Sequence, residues 1–345
     1  MWKEQLPREK EITVNSFEKA KEFLRSDYKV EQIGVNLAEI EVDQDGWLSF
    51  SDYSFPMTDW SFESLCNILG IPVAFGRRIS VDLLLYNINA LKHVRNIRIV
   101  VLVARETVIN IVRHPFVYTR NEALLDAMSD VVQKLNLNLH EVKLSDRTMD
   151  VKLLYQNDTL SMEPIPGDPS RIGVNICNSE TGFGNAQAVF WVLRQICTNG
   201  AIANVKWGGV NMTYDPEISQ ERAIDNFMSG IQNLSINYKQ FAEVYKRLVD
   251  HELNVNELMS VWRKVSRITG NDLADSILNI NKKDRSAYLE KIRIDDSLTP
   301  TGRSAYQIYI GVTEAAKKFP YHVRQALEII GGSMIDLPGD NKRSV

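Results

Sequence analysis

The residues with the clearest capacity for chemistry lie in a basic stretch between positions 91 and 120. It holds six bases and one acid, whereas residues 30–76 hold eight acids and no Lys or Arg. The net charge is only −4, but a partner responds to the local field, so a phosphate backbone could still bind here. The alternative is a surface where two parts of one molecule meet through salt bridges. The six bases are Lys92, Arg95, Arg98, Arg105, Arg113 and Arg120.

A second candidate is a pair of side chains on a predicted helix over Ala186–Cys197. Helical spacing turns most of its apolar residues, Cys197 included, toward a core and leaves Trp191 and Arg194 on a polar face. A tryptophan there could stack on a base while the guanidinium meets a phosphate. The same pair could instead form a subunit contact, or Trp191 could pack beneath the helices that follow.

The segment around that helix is polar but carries little charge. Between Ile172 and Tyr214 only Glu180, Arg194 and Lys206 are charged. Gly182 and Gly184 stand at the predicted start of the helix, where backbone amides could approach an anion. The spacing matches neither a dinucleotide fingerprint nor a phosphate-binding P-loop, so a cap and turn is the alternative.

Composition and spacing disfavour several classes of site. The three cysteines and five histidines are scattered, so we predict neither a disulfide framework nor a zinc site. No nucleophile elbow or kinase motif set occurs, so we expect a protein that is not an enzyme and needs no metal or cofactor. The longest apolar run, near 97–104, is too short to span a bilayer, and the polar first residues do not form a signal peptide. We therefore expect a cytoplasmic protein without a membrane partner.

Periodicity and capping residues predict an alternation of helices and strands. The helices are predicted over Ser16–Ser26, Ser61–Gly70, Val81–His93, Asn121–Asn136, Ala186–Cys197, Ile218–His251, Val255–Thr269, Leu273–Ile280, Ser286–Ile292 and Thr301–Lys318. The strands are predicted over Val35–Val42, Trp47–Tyr53, Ile97–Ala104, Val108–Arg113, Glu141–Leu144, Met149–Tyr155, Ile172–Ile176 and Trp207–Met212, the first two joined by a turn at Asp45-Gly46.

This order of elements predicts an α+β fold, with a mixed or antiparallel sheet followed by a mostly helical C-terminal domain. We divide the chain into an N-terminal helix and acidic hairpin (1–60), an α+β core (61–214), a helical domain (215–338) and a disordered tail (339–345).

Several short motifs resemble a phage- and plasmid-associated family of unknown function, the DUF932 group. The run that ends at Gly200 resembles its Arg-x-x-Cys-x-Asn-Gly signature through Arg194, Cys197, Asn199 and Gly200. Further similar stretches are Leu69-Gly-Ile-Pro72, His114–Leu125, Thr301-Gly-Arg-Ser-Ala-Tyr306 and Val312-Thr-Glu-Ala315, spread over about Trp60 to Lys318. Tyr306 stands where the family often has a tryptophan. The resemblance implies a mobile-element context, among replication, recombination and anti-defence genes, and it favours DNA as a partner.

Together these observations predict an oligomeric protein of a phage or mobile element that binds single-stranded DNA or another nucleic acid. Annealing or recombination is the expected role, in the host cytoplasm if the gene is phage-encoded. The alternative is a protein-interaction factor, either an inhibitor of host defence or a virion component, whose partner is a host or phage protein.

Overall fold

The fold is α+β, as predicted. The structure is a computed structural model that describes residues 9–95, 97–156, 161–195, 199–202, 209–212, 218–234, 238–294 and 296–342. Within those residues the sheets are antiparallel, and the part after residue 220 is mostly helical.

The described elements are numbered along the chain. The strands are β1 (Glu11–Val14), β2 (Glu31–Asn36), β3 (Glu41–Val42), β4 (Trp47–Phe50), β5 (Tyr53–Pro56), β6 (Arg98–Ala104), β7 (Thr107–Arg113), β8 (Leu137–Ser145), β9 (Met149–Tyr155), β10 (Ser161–Met162), β11 (Ser170–Asn178), β12 (Gln187–Arg194), β13 (Asn199–Ile202), β14 (Val210–Asn211), β15 (Glu252–Asn254) and β16 (Pro300–Ser304). The helices are α1 (Phe17–Arg25), α2 (Asp59–Leu69), α3 (Val73–Gly76), α4 (Val81–Val94), α5 (Asn121–Lys134), α6 (Gln220–Leu234), α7 (Tyr238–Lys246), α8 (Val255–Thr269), α9 (Asn271–Ile277), α10 (Lys282–Arg293), α11 (Ala305–Ala316) and α12 (Tyr321–Gly332). The segments Leu37–Glu39 and Ser333–Lys342 are 3-10 helices.

The large sheet carries the main apolar core on one of its faces. Its strands follow the order β1-β8-β9-β11-β12-β13, with β10 beside β11 and β14 beside β12. Val151 and Leu153 of β9 pack in the same cluster as Phe227, Tyr245 and other side chains of the C-terminal helices. The apolar contacts of this core therefore run across residue 214.

A second core lies within residues 35–111. The three-stranded sheets β2-β6-β7 and β3-β4-β5 enclose it together with α2 and α4. Leu48, Leu65 and Ile99 have no exposed surface there. The division of the chain at 60, 214 and 338 stays a prediction.

The face of the large sheet opposite its apolar core carries buried charge. The Lys152 ammonium lies 3.1 Å from a Glu141 carboxylate oxygen and 3.2 Å from one of Glu328 on α12. Burial alone would lower the pKa of Lys152, but the two carboxylates outweigh burial and raise it. Burial raises the pKa of Asp150, whose carboxylate accepts a hydrogen bond from the Tyr321 hydroxyl. α12 therefore covers this face through paired charges.

The predicted helix over Ala186–Cys197 is wrong, because β12 occupies Gln187–Arg194. Side chains of β12 are buried on both faces of the sheet: Phe190 lies in the main core and Trp191 on the opposite face. A strand buried on both sides loses its two-residue alternation, so its sequence resembles that of a buried helix. Residues 196–198, including Cys197, lie outside the described residues.

The predicted strand Val35–Val42 is interrupted. The Asn36 side chain accepts a hydrogen bond from the Ala38 amide at 3.0 Å, and this contact starts the 3-10 turn that separates β2 from β3. β2 pairs with β6, so the turn at Asp45-Gly46 joins only β3 and β4.

The predicted helix starts are partly confirmed. Ser80 caps α4 as expected, and α8 matches its predicted range. α2 begins earlier than predicted, because Thr58 rather than Ser61 is the cap: Thr58 Oγ1 accepts a hydrogen bond from the Ser61 amide at 3.2 Å. The predicted helix Thr301–Lys318 opens as strand β16 and becomes helical only after Ser304.

Some expectations fall partly outside the described residues. These are residues 207–208 of the last predicted strand, residues 235–237 between α6 and α7, the predicted boundary near 214, and residues 343–345 of the tail. The described part of that strand is β14, and the predicted helix Ile218–His251 contains both α6 and α7.

Gly173 offers a test of the strand packing. A Cβ at this position would lie 1.9 Å from the backbone oxygen of Leu153, which cannot move without disturbing β9. We expect Gly173→Ala to lower the free energy of unfolding by about 3 kcal/mol or more. Gly184→Ala is the matched control, because beyond the glycine and its two chain neighbours no heavy atom lies within 4 Å of its Cβ position. Urea denaturation of both variants measures the difference, and equal midpoints would contradict this packing.

Candidate nucleic-acid interface

Two of the predicted basic residues hold α4 in place. The Lys92 side chain is only 6% exposed, and its ammonium donates a hydrogen bond to the Ile40 carbonyl at 2.6 Å. Arg95 follows the end of α4 and donates to the Ile68 carbonyl at 3.0 Å, with its guanidinium against Gly70. Both side chains satisfy carbonyl oxygens of their own core.

Arg105 joins the smaller core to the large sheet. It lies in the tight turn between β6 and β7, forms an ion pair with Asp146 and donates to the Asp27 carbonyl at 2.6 Å. Its guanidinium also lies over the Tyr28 ring, 5.2 Å from the centroid. Both terminal nitrogens of the guanidinium therefore donate to groups of the same chain.

The structure does not bring Arg98, Arg105 and Arg113 into one groove. Arg113 lies opposite Ile99 in the β6–β7 register, so it projects to the same sheet face as Ile99. Arg98 directly precedes Ile99 in β6, so its side chain projects to the opposite face of the sheet. Arg105 is at the far end of β6, about 20 Å away at the usual rise of a strand.

Trp191 and Arg194 do not share a face either. In a strand, residues three apart project to opposite sides. The Trp191 ring is 1% exposed and packs with Val189, Leu193 and other apolar residues. Arg194 donates to both carboxylate oxygens of Asp168, at 2.6 and 2.7 Å. Neither side chain is placed to bind an external ligand.

The motif residues that the structure describes have structural explanations. Asn199 lies opposite Arg194 in the register of β12 and β13, and Gly200 lies opposite Leu193. A Cβ on Gly200 would lie 2.5 Å from Trp191 Nε1, so glycine leaves room for the indole ring. This part of the motif thus fits the close pairing of two strands.

We expect Trp191→Ala to act on stability. Removing a fully buried indole should cost roughly 3–5 kcal/mol of unfolding free energy. Guanidinium denaturation measures this loss, and Trp47→Ala is the control because Trp47 is 41% exposed. A stable Trp191→Ala protein that loses only ligand binding would contradict the placement described above.

Arg120 lies in a cleft between α1 and the start of α5. The cleft has a volume of about 350 Å³, and its polar lining consists of Arg25, Lys29, Tyr118, Arg120, Glu122 and Glu180. Arg25 forms an ion pair with Glu122, and Arg120 hydrogen-bonds the Tyr118 side chain. Lys29 and Arg120 are exposed, so the cleft offers cations to a ligand.

The segment that leads from β7 into this cleft combines bases with stacked aromatic rings. Arg113, His114 and Arg120 are exposed. The Phe116 and Tyr118 rings are half-buried and stack with centroids 5.7 Å apart and planes 5° apart. This pair was not predicted from the sequence, although two aromatic residues between basic ones are a recognisable signal for nucleic-acid binding.

Gly182 supports the aromatic pair. Its φ of +82° is a left-handed conformation that favours glycine, and a Cβ there would lie 3.1 Å from the Phe116 ring. The anion site expected at Gly182 and Gly184 depended on a helix that is absent. Instead, Ser179 Oγ accepts a hydrogen bond from the Phe183 amide at 2.9 Å. The loop then leads into strand β12.

Glu180 fixes the start of α5. The N-cap residue of α5, Arg120, provides no side-chain cap, and the Asn121 amide donates instead to the Glu180 carboxylate. Asn178 reinforces this contact, because its Nδ2 donates to Asn121 Oδ1 at 2.7 Å and to the Thr119 carbonyl at 2.8 Å. The end of β11 thus orients the aromatic segment relative to the cleft.

Burial is the main perturbation of Glu180. It raises the pKa of this carboxyl to about 7, against the opposing effects of the Asn121 amide and Arg120. The sequence could have marked Glu180 as a candidate site residue, because it is the only acid between Ile172 and Tyr214. Which cleft it would line depended on the tertiary contact with α5.

Comparison with family models, curated proteins and solved structures finds no match for this chain. The resemblance to the DUF932 group therefore stays a prediction. In the part of the chain that the structure describes, no group of three or more His, Cys, Asp or Glu side chains is placed to hold a metal ion. No helix among those residues is long and apolar enough to cross a membrane.

The titration of Glu180 predicts a pH dependence of stability. Its pKa is about 7 in the folded chain against an ordinary value of 4.5, so the folded state binds the proton more tightly. The resulting stabilisation is complete below pH 4.5 and is lost as the pH rises through 7, by up to about 3 kcal/mol. Glu180→Gln keeps an oxygen acceptor for Asn121 but cannot ionise.

Urea midpoints of wild type and Glu180→Gln at pH 5, 6, 7 and 8 measure this effect. Relative to the variant, the wild type should lose stability across the series. Parallel curves for the two proteins would contradict the assignment.

Proposed function

We propose that this chain is a non-enzymatic, oligomeric protein of a phage or mobile element that binds single-stranded nucleic acid. The binding surface is the segment Arg113–Arg120 together with the adjoining cleft. Single-strand annealing or recombination is the role that this binding would serve. The observation that carries the proposal is the stacked Phe116–Tyr118 pair among exposed bases.

The chemistry of the surface supports this ligand. Single strands expose both phosphates and base faces, and proteins bind them by combining cations with aromatic platforms. Arg113 and Arg120 bracket the aromatic pair, and Lys29 extends the cationic surface across the cleft. A duplex would offer its phosphates but keep its base faces stacked inside, so single strands should bind better.

Two residues that flank the rings test the electrostatic part of the proposal. The double variant Arg113→Glu, Arg120→Glu should weaken binding of a 30-nucleotide labelled oligonucleotide at least tenfold at 50 mM salt. It should also reduce the slope of log K against log salt by about 1.4, because two phosphate contacts are lost. The double variant Arg263→Glu, Arg267→Glu, which changes two exposed arginines on α8, is the charge-matched control.

Tyr118 tests the stacking part. Tyr118→Ala should cost on the order of 1–3 kcal/mol of binding, whereas Tyr118→Phe keeps the ring and should retain most affinity. Fluorescence anisotropy at 50 and 200 mM salt measures all the variants, with thermal unfolding as the check on folding. If wild type does not bind at 50 mM salt, the proposal fails, and the alternative of a protein-interaction factor takes its place.

A further inference from the structure

Helix α4 has an apolar stripe on its solvent side in addition to its buried one. Its inner face places Leu84 and Ile88 in the smaller core. Leu83, Tyr86 and Val94 are nevertheless 46%, 71% and 78% exposed. A helix that is apolar on two sides normally has a partner on each of them.

The outer residues form a continuous stripe. Leu83, Tyr86, Ala90 and Val94 follow one another at spacings of three, four and four residues, and all four are exposed. At 100° per residue they cover an arc of about 80°. This arc lies on the side opposite Ile88 and is the width that a helix–helix seam requires.

The stripe is complementary to itself when it is reversed. An antiparallel copy centred between residues 88 and 89 brings Leu83 level with Val94, and it brings the large Tyr86 within one residue of the small Ala90. Asp82 and His93 lie on one flank of the helix, at opposite ends. Antiparallel pairing brings the same flanks together, so the Asp82 carboxylate of each copy meets the His93 imidazole of the other.

We propose that α4 pairs antiparallel with α4 of a second copy of this chain, about a two-fold axis close to residue 88. The interface is isologous and therefore closes at a dimer. The helix is about 21 Å long, so the seam buries less than the roughly 800 Å² per partner of a standard interface. We therefore expect weak self-association and test it at micromolar concentrations. The proposal extends the oligomeric part of the proposed function, and it is measured without nucleic acid, so either one can fail alone.

Sedimentation velocity between 1 and 200 µM tests the dimer. Wild type should shift from monomer to dimer with concentration, and Tyr86→Glu should raise the dissociation constant at least tenfold. Leu298→Glu is the control, because Leu298 is 78% exposed, comparable with the 71% of Tyr86, but lies outside α4. A wild type that stays monomeric throughout overturns the proposal, and the stripe would then be assigned to contact with a different protein. Equal effects of the two substitutions overturn it as well.

Cysteine cross-linking tests the register independently. Asn87→Cys lies beside the stripe and next to the axis, so mild oxidation should produce a covalent dimer. Asn89→Cys is two residues away on a face turned about 100° from the seam. Its cross-linking should not exceed the background from the native cysteines. Cross-linking through position 89 and not through 87 overturns this geometry even if a dimer forms.

Discussion

The burial of both faces of the large sheet is the constraint on which the rest of this structure depends. One face packs against apolar helices. The other face holds Asp150 and Lys152, and burying a charge is costly unless it is paired. Lys152 therefore requires Glu141 from the neighbouring strand and Glu328 from α12. This pairing sets the position of α12 on the sheet.

Two-sided burial also determines which residues remain available for function. β12 is an interior strand of the sheet, so its side chains are buried on both faces. Trp191 and Arg194 have the chemistry of a nucleic-acid site, but the strand turns them to opposite sides and into intramolecular contacts. Exposed bases and a stacked aromatic pair lie instead in the segment between β7 and α5.

The contacts between the two cores explain where the cleft forms. Arg105 binds Asp146 across the boundary, and Asn110 Nδ2 donates to the Thr181 carbonyl at 2.6 Å. Glu180, next to Thr181, caps α5 from outside that helix. The residues that fix the smaller core to the large sheet thus also place the half-buried Glu180 carboxylate beside Arg120.

The sequence by itself determined the fold class and the elements with clear local signals. Ser80 and the periodicity of residues 255–269 sufficed for α4 and α8, because a cap and an amphipathic stripe are local properties. The same local reasoning failed for β12, since a strand apolar on both sides has no periodicity of its own. Only the tertiary structure decided which residues lie together in the candidate site. The run of bases along the chain identified Arg98, Arg105 and Arg113 as candidates. The fold separates them, because Arg98 and Arg113 project to opposite faces of the sheet and Arg105 lies at the other end of β6. The contact between Glu180 and α5 joins positions 59 residues apart, and only the packing of the two cores brings them together.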